Sequence, residues 1–167
     1  MSLYYTDGEE NVTDPMDLVE SVVASDDRFS VERAEDGDVQ FYFKGVWTEA
    51  AGYFSYRDEL PALLFTLGFD LQATDANILN TMKLAAMINE NLWLGHFDVW
   101  SDDGSIVFRH SAPMIGREEI SPGEVQALLA AALDAADRFY PAFKFVIEGV
   151  SPEKAVEAAM FEVAGEA

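Results

Sequence analysis

The spacing of hydrophobic positions changes several times along the chain, and each change predicts an element. Asp14-Pro15 joins an N-cap acid to a proline suited to the first helical position. Val19, Val22 and Val23 supply the buried stripe of that helix, which ends near Ser25. The period then falls to two. Val39, Phe41 and Phe43 share one side while Gln40, Tyr42 and Lys44 share the other, the mark of a half-buried strand. Phe29-Ser30-Val31 precedes it across Glu35-Asp36-Gly37-Asp38, a turn composition. Tyr53 to Arg57 alternates again. Leu60 to Phe69 is apolar on both parities, which predicts a central strand covered on both faces.

From Thr74 the period becomes helical. Ile78, Met82, Ala85, Ile88 and Leu92 recur at spacings of three and four within Asn77 to Leu92. Two strands follow, His96 to Ser101 and Ser105 to Ser111, joined at Asp103-Gly104. Ser121-Pro122-Gly123-Glu124 is a capping box that opens a helix burying Val125, Leu128, Leu129, Ala132 and Ala136. Pro141 predicts a kink or restart in it. Ser151-Pro152-Glu153 opens the last helix, with Val156, Ala159, Met160 and Val163 on one face. The order is α-ββββ-α-ββ-α-α. Strands grouped in runs give an antiparallel sheet flanked by helices, an α+β domain. Residues 14–167 form that single domain, and residues 1–13, acidic and aperiodic, a flexible tail.

Composition narrows the function classes. A chain of 167 residues buries roughly 70% of its extended surface, so one core suffices. Absence of cysteine removes disulfides, thiolate zinc sites and thiol catalysis. No run approaches the roughly 20 apolar residues of a membrane span. Met1 to Glu10 lacks the basic start and apolar core of a secretory leader, so the expected compartment is the cytoplasm. The charge is −21, from 31 acidic and 10 basic residues. Acidic surface favours solubility or a basic partner. It excludes the basic stripe that nucleic acid needs and the polybasic cluster that anionic lipid needs.

No catalytic, metal or cofactor site emerges. A two-residue turn at Asp103-Gly104 sets Val99 opposite Phe108 and Asp98 opposite Arg109. Phe97, Val99, Ile106 and Phe108 then share one face, whereas a three-residue loop would mix apolar and polar sets. In that register His96 and His110 fall on opposite faces and cannot share a metal, and Asp98 and Arg109 form a structural pair. Both histidines read as structural. The carboxylates are scattered: Asp26-Asp27, Asp102-Asp103 and Glu118-Glu119 sit in loops or helix approaches, without calcium-loop spacing. Nothing in the spacing of Asp70, Asp75 and Asp98 gathers them. No P-loop, dinucleotide fingerprint or Gly-x-Ser-x-Gly occurs. What stands out is aromatic: Trp100, Tyr140 and Phe161 fall off the apolar face of their elements, and such residues mark a candidate interaction surface.

Several stretches carry a family likeness. They are Asn89-Glu90-Asn91-Leu92-Trp93-Leu94-Gly95-His96-Phe97-Asp98 running into Val99-Trp100-Ser101, then Phe108-Arg109-His110. Arg138-Phe139-Tyr140-Pro141-Ala142-Phe143-Lys144-Phe145-Val146, the Ser151-Pro152-Glu153 helix start and the early Pro15-Met16-Asp17-Leu18-Val19 helix complete the set. Together they resemble the YbjN-domain family, described as bacterial sensory transduction regulators, over residues 14 to 165. The resemblance implies a fold like that of type III secretion chaperones and a regulatory or interaction role, with no catalytic residues to carry over. The expected function is therefore a non-enzymatic interaction module with a protein partner. Excess apolar surface predicts a homodimer. The alternative is a small-molecule sensor with an aromatic-lined pocket, and an enzyme using His96, Asp98 and His110 stands third.

Overall fold

The computed structural model describes residues 14–57, 59, 61–117 and 119–164; the expected tail, 1–13, lies outside them. The elements are α1 (Pro15–Ala24), β1 (Phe29–Arg33), β2 (Val39–Lys44), β3 (Glu49–Arg57), β4 (Ala62–Gln72), α2 (Ile78–Asn89), β5 (His96–Val99), β6 (Ser105–Pro113), α3 (Pro122–Ile147) and α4 (Pro152–Ala164). This is the expected α+β order. The Asp14 side chain accepts from the Met16 N–H at α1, and Ser121 and Glu124 close a reciprocal capping box at α3, so these two caps written in the sequence are made.

The six strands form one antiparallel sheet in the order β1-β2-β3-β4-β6-β5. Helices pack on one face only: α1 against β1, β2 and β3, α3 against β4 and β6, α2 against β5, with α4 over α2 and α3. The core lies between the layers. One row across it, Val31, Phe41, Gly52, Leu67, Phe108 and Phe97, follows from the strand register. The expectation that β4 is covered on both faces is therefore corrected. Leu63, Phe65 and Leu67 are buried in the core, while on the other side Thr66 is buried but Leu64 and Gly68 are only half-buried, and no helix packs there. An apolar residue on the second parity here signals an uncovered surface rather than a second layer.

Three helix readings also change. α2 buries Thr81, Leu84, Ala85 and Ile88, with Met82 only half-buried and the helix ending before Leu92. α4 turns Pro152, Ala155 and Ala159 inward, with Val156 half-buried, while Met160 is exposed. The small pair Ala155 and Ala159, four residues apart, lets this helix approach its neighbours closely, and the larger Met160 swings out. α3 runs through Pro141 as one helix.

Pro141 has no N–H, so the carbonyl of Asp137, one turn earlier, loses its helical donor. The indole Nε1–H of Trp47, in the turn between β2 and β3, donates to that carbonyl at 2.8 Å. The missing helical hydrogen bond and the hairpin tip are thus one feature. Trp47→Phe should cost about 1 kcal/mol, the usual net worth of such a bond. In a Pro141→Ala background, where the helix supplies its own donor, the same change should cost less by about half or more. Urea unfolding of the four proteins gives the coupling, and equal costs in both backgrounds would refute the link.

Candidate functional site

The uncovered face of the sheet is the largest feature that the fold leaves without a partner. Its two central rows can be read from the register: Ser30, Tyr42, Ala51, Gly68, Val107 and Asp98, then Glu32, Gln40, Tyr53, Thr66, Arg109 and His96. Between the edge strands these rows carry one charge, Arg109, while a quarter of the whole chain is charged. Charges stand instead around the margin, with Lys44 opposite Glu49 at one end and Glu32 and Asp98 on the edge strands. A centre with a single charge inside a charged rim is the anatomy of a protein contact surface.

Three aromatic side chains rise from this face: Tyr42 is 47% exposed, Trp100 40% and Tyr53 36%. They border a recess of about 350 Å3 floored by Ala51, Gly68 and Val107. A second recess of about 700 Å3 continues it toward β1 through the shared Tyr42, Ala51, Gly68 and Phe69. Val107 is 4% exposed, yet it stands apart from the hydrophobic core. The Tyr42 hydroxyl donates to Gln40 Oε1 at 3.3 Å, so its polar end already has a partner on the face. The floor holds a further signal. A Cβ on Gly68 would meet only the Ala51 carbonyl oxygen, at 3.6 Å. Gly68 stands where the β4–β6 register shifts, between Gly68 and Gln72, and a glycine inside a strand marks such a bulge or a close approach by another molecule.

The two sheet edges differ. On β5, Asn89 of α2 clamps the outer backbone of Phe97, its Oδ1 accepting from the Phe97 N–H at 2.7 Å and its Nδ2 donating to the Phe97 carbonyl at 3.0 Å. A side-chain amide thus stands in for a neighbouring strand and closes that edge. Sequence reasoning missed this role; the only signal was an amide at the end of the α2 pattern, seven residues before the next strand. On the outer side of β1 no strand pairs among the described residues.

The β5–β6 hairpin corrects the expected register. His96 pairs with Arg109, Phe97 with Phe108, Asp98 with Val107 and Val99 with Ile106. Trp100 and Ser105 continue the ladder, and Gly104 donates back to the Trp100 carbonyl at 2.8 Å, so the loop is the four residues Ser101–Gly104. The shift from a two-residue loop is two, and the side-chain period is two, so every residue keeps its face. Asp98 meets Arg109 diagonally, Oδ2 to Nη1 at 3.2 Å, both side chains 43% exposed. His96 is exposed on the open side. His110 lies half-buried on the helix side, where burial and then the charge of His96 push its pKa below the usual imidazole range.

Trp100, Tyr140 and Phe161 occupy three separate places. Trp100 borders the recess on the open face. Tyr140 is half-buried on α3, beneath Val46 and Trp47 of the β2–β3 turn. Phe161, 68% exposed, is on the outer side of α4. The aromatic partners of Trp100 on the open face are Tyr42 and Tyr53, which the strand alternation put on the polar side without marking them as a surface.

The perturbed carboxylates are local structure. Glu124 is lowered to about 2 by the Arg117 side chain and the Ser121 N–H. Arg28 lowers Asp26, the Ser105 N–H lowers Asp103 and Lys83 lowers Glu153. These groups cap turns and helices and converge on no common point. Among the described residues no three His, Asp or Glu side chains gather as metal ligands, and no helix is long and apolar enough to cross a membrane.

Comparison with known proteins agrees with this architecture. A chain of the crystallised ExsC–ExsE complex is similar, with a TM-score of 0.52 and 17% identity over 73% of this chain and 87% of that one. That likeness is one of fold, and the fold is of the type III secretion chaperone kind. No curated protein matches the chain. The family model of YbjN, described as "Putative bacterial sensory transduction regulator", matches residues 15–145, and the chain belongs to that family.

Proposed function

We propose that this protein is a non-enzymatic regulatory module of the cytoplasm that acts by binding protein through the open face of its sheet. The observation that carries the reading is that face: an aromatic-bearing centre with a single charge, Arg109, ringed by charge on a chain of net −21. A surface that must only stay in water would carry its share of that charge. The family description and the chaperone-like fold support a regulatory, protein-binding role. The scattered, locally satisfied carboxylates and the separation of His96 from His110 speak against catalysis, because a base needs an orienting partner and a nucleophile within reach.

A second reading, a small-molecule sensor, draws on the recess between Tyr42, Tyr53 and Trp100, whose volume of about 350 Å3 falls in the range of ligand pockets. Native mass spectrometry of the protein isolated from its own cells separates the two. The expected result is a chain associated with protein, and that association should be lost with Tyr53→Arg. A single chain carrying a retained small molecule would overturn the proposal in favour of the sensor. A bare single chain would overturn both.

A further inference from the structure

We infer that the open face binds a proline-rich segment of a partner protein, held in the polyproline II conformation with basic residues beyond its Trp100 end. This occupant presupposes the protein-binding reading above and gives the partner its chemistry. Three rings carry it. Among the described residues every close ring pair joins two phenylalanines. The aromatics are thus sorted: phenylalanines pack on one another in the core, while Tyr42, Tyr53 and Trp100 stand on the open face with no ring stacked on them.

The strand register spaces these rings. Tyr42 shares a row with Ala51, Gly68, Val107 and Asp98. Tyr53 stands one open-face row to one side of it, and Trp100, paired beyond Asp98 with Ser105, one row to the other. At about 4.8 Å between strands and about 3.4 Å per residue, Tyr42 and Tyr53 are roughly 8 Å apart. Each is roughly 20 Å from Trp100 on the same scale, across the floor of Ala51, Gly68 and Val107. Two turns of polyproline II span about 19 Å, at three residues per turn and about 3.1 Å per residue. One segment can therefore seat a proline between the two tyrosines and another, two turns on, against the Trp100 ring.

Hydrogen bonding favours this ligand over a helix or a strand. Trp47 gives its indole N–H to Asp137 and Tyr42 its hydroxyl to Gln40, but among the described residues the Trp100 indole and the Tyr53 hydroxyl have no such partner. They are donors in want of acceptors. A helix has spent its carbonyls on itself, and a strand joins a sheet at its edge. Polyproline II leaves every carbonyl free, and proline brings no N–H that the face would have to satisfy. Charge sets the direction. The loop after Trp100 carries Asp102 and Asp103, both exposed, while the other end of the groove mixes Lys44 with Glu49 and Asp70. Cations beyond the prolines therefore find acid at the Trp100 end, and the net charge of −21 draws a basic segment in.

The test is a fluorescence-anisotropy titration of the full chain, at moderate salt, into a labelled peptide of eight prolines followed by two arginines. Wild type should bind it, and Tyr53→Ala and Trp100→Ala should each weaken binding about tenfold or more, as aromatic anchors do. Asp102→Lys should weaken it roughly threefold or more, and should change nothing for a peptide that ends in two glutamines. Phe161→Ser, on the outer side of α4, should bind as wild type. A cooperative thermal melt by circular dichroism shows that each variant is folded, and Asp102→Lys, in an exposed loop, decides the matter if the aromatic variants do not fold. A peptide of eight threonines and two arginines separates this mode from strand addition at the β1 edge, which uses the N–H groups that proline lacks. Equal or tighter binding of the threonine peptide would overturn the inference. So would a proline peptide that does not bind at about 1 mM protein, or binding unchanged in the folded variants of Tyr53, Trp100 or Asp102. Should the proline peptide fail while another protein accompanies the chain from cells and is lost with Tyr53→Arg, the proline-rich partner is ruled out and the protein-binding function stands.

Discussion

Gly104→Ala is expected to destabilise the protein by about 3 to 4 kcal/mol, while Gly116→Ala costs only about 1 kcal/mol. Both glycines hold φ at +74°, so both changes place an alanine in the left-handed region at the same backbone penalty. They differ in what the new methyl group meets. At Gly116 nothing lies within 4 Å. At Gly104 a Cβ would lie 2.0 Å from the carbonyl oxygen of Ala73 and 2.8 Å from its carbon. These are backbone atoms of a buried residue, and the Ala73 N–H is itself bonded to the Gly104 carbonyl at 2.8 Å. Neither side can give by rotating a side chain, so the hairpin tip must move off β4. The move would break the bond from the Gly104 N–H to the Trp100 carbonyl and carry Trp100 away from the recess it borders. Urea unfolding of both variants, at one protein concentration, reads the difference directly. A Gly104→Ala cost no greater than that of Gly116→Ala would mean that the hairpin tip does not press on Ala73.

That hairpin also shows what a sequence can and cannot carry. Alternation fixes which residues share a face, because a slip of one would turn Phe97, Val99, Ile106 and Phe108 outward. It does not fix the loop length beyond its parity, since a slip of two preserves every face. Hence Asp98 and Arg109 share the open face and meet, but two residues off the expected pairing. The helix caps were legible for a related reason: Asp14-Pro15 and Ser121-Pro122-Gly123-Glu124 satisfy backbone groups a few residues away, and local sequence suffices for a local bond. The Trp47 to Asp137 bond spans 90 positions, and the only hint was the orphaned carbonyl that Pro141 implies.

The open face was the hardest part to read. Its residues follow the polar parity of their strands, so Tyr42, Tyr53 and Gln40 look like an ordinary solvated side. Only the strand order shows that Ala51, Gly68 and Val107 adjoin them, turning separate small and apolar positions into a continuous floor. The acidic composition, by contrast, was fully visible and says little about any one residue. It acquires meaning once the register reveals where the charge is missing.

Phe97→Ala should cost about 4 kcal/mol, while Phe161→Ala should stay within about 0.5 kcal/mol. Phe97 is on β5, an edge strand, where a side chain has sheet neighbours on one side only. It is nevertheless 3% exposed, because α2 and α3 close over it. Its ring meets Phe69 at 5.9 Å and Phe108 at 5.5 Å within the sheet, and Phe139 at 6.1 Å and Phe143 at 5.0 Å on α3. Truncation would leave a cavity walled by four rings anchored in two layers. They cannot collapse into it without shifting the helix against the sheet, and a site that cannot collapse lies at the costly end of the range for such changes. The Asn89 clamp on the Phe97 backbone keeps the strand itself from moving in. Phe161, 68% exposed on α4, leaves no comparable hole. Urea unfolding of wild type and both variants at matched concentration makes the comparison. A loss below about 1 kcal/mol at Phe97 would fall outside that range and mean that α3 is not seated on the β5 edge. A comparable loss at Phe161 would mean that α4 buries its outer side against another molecule.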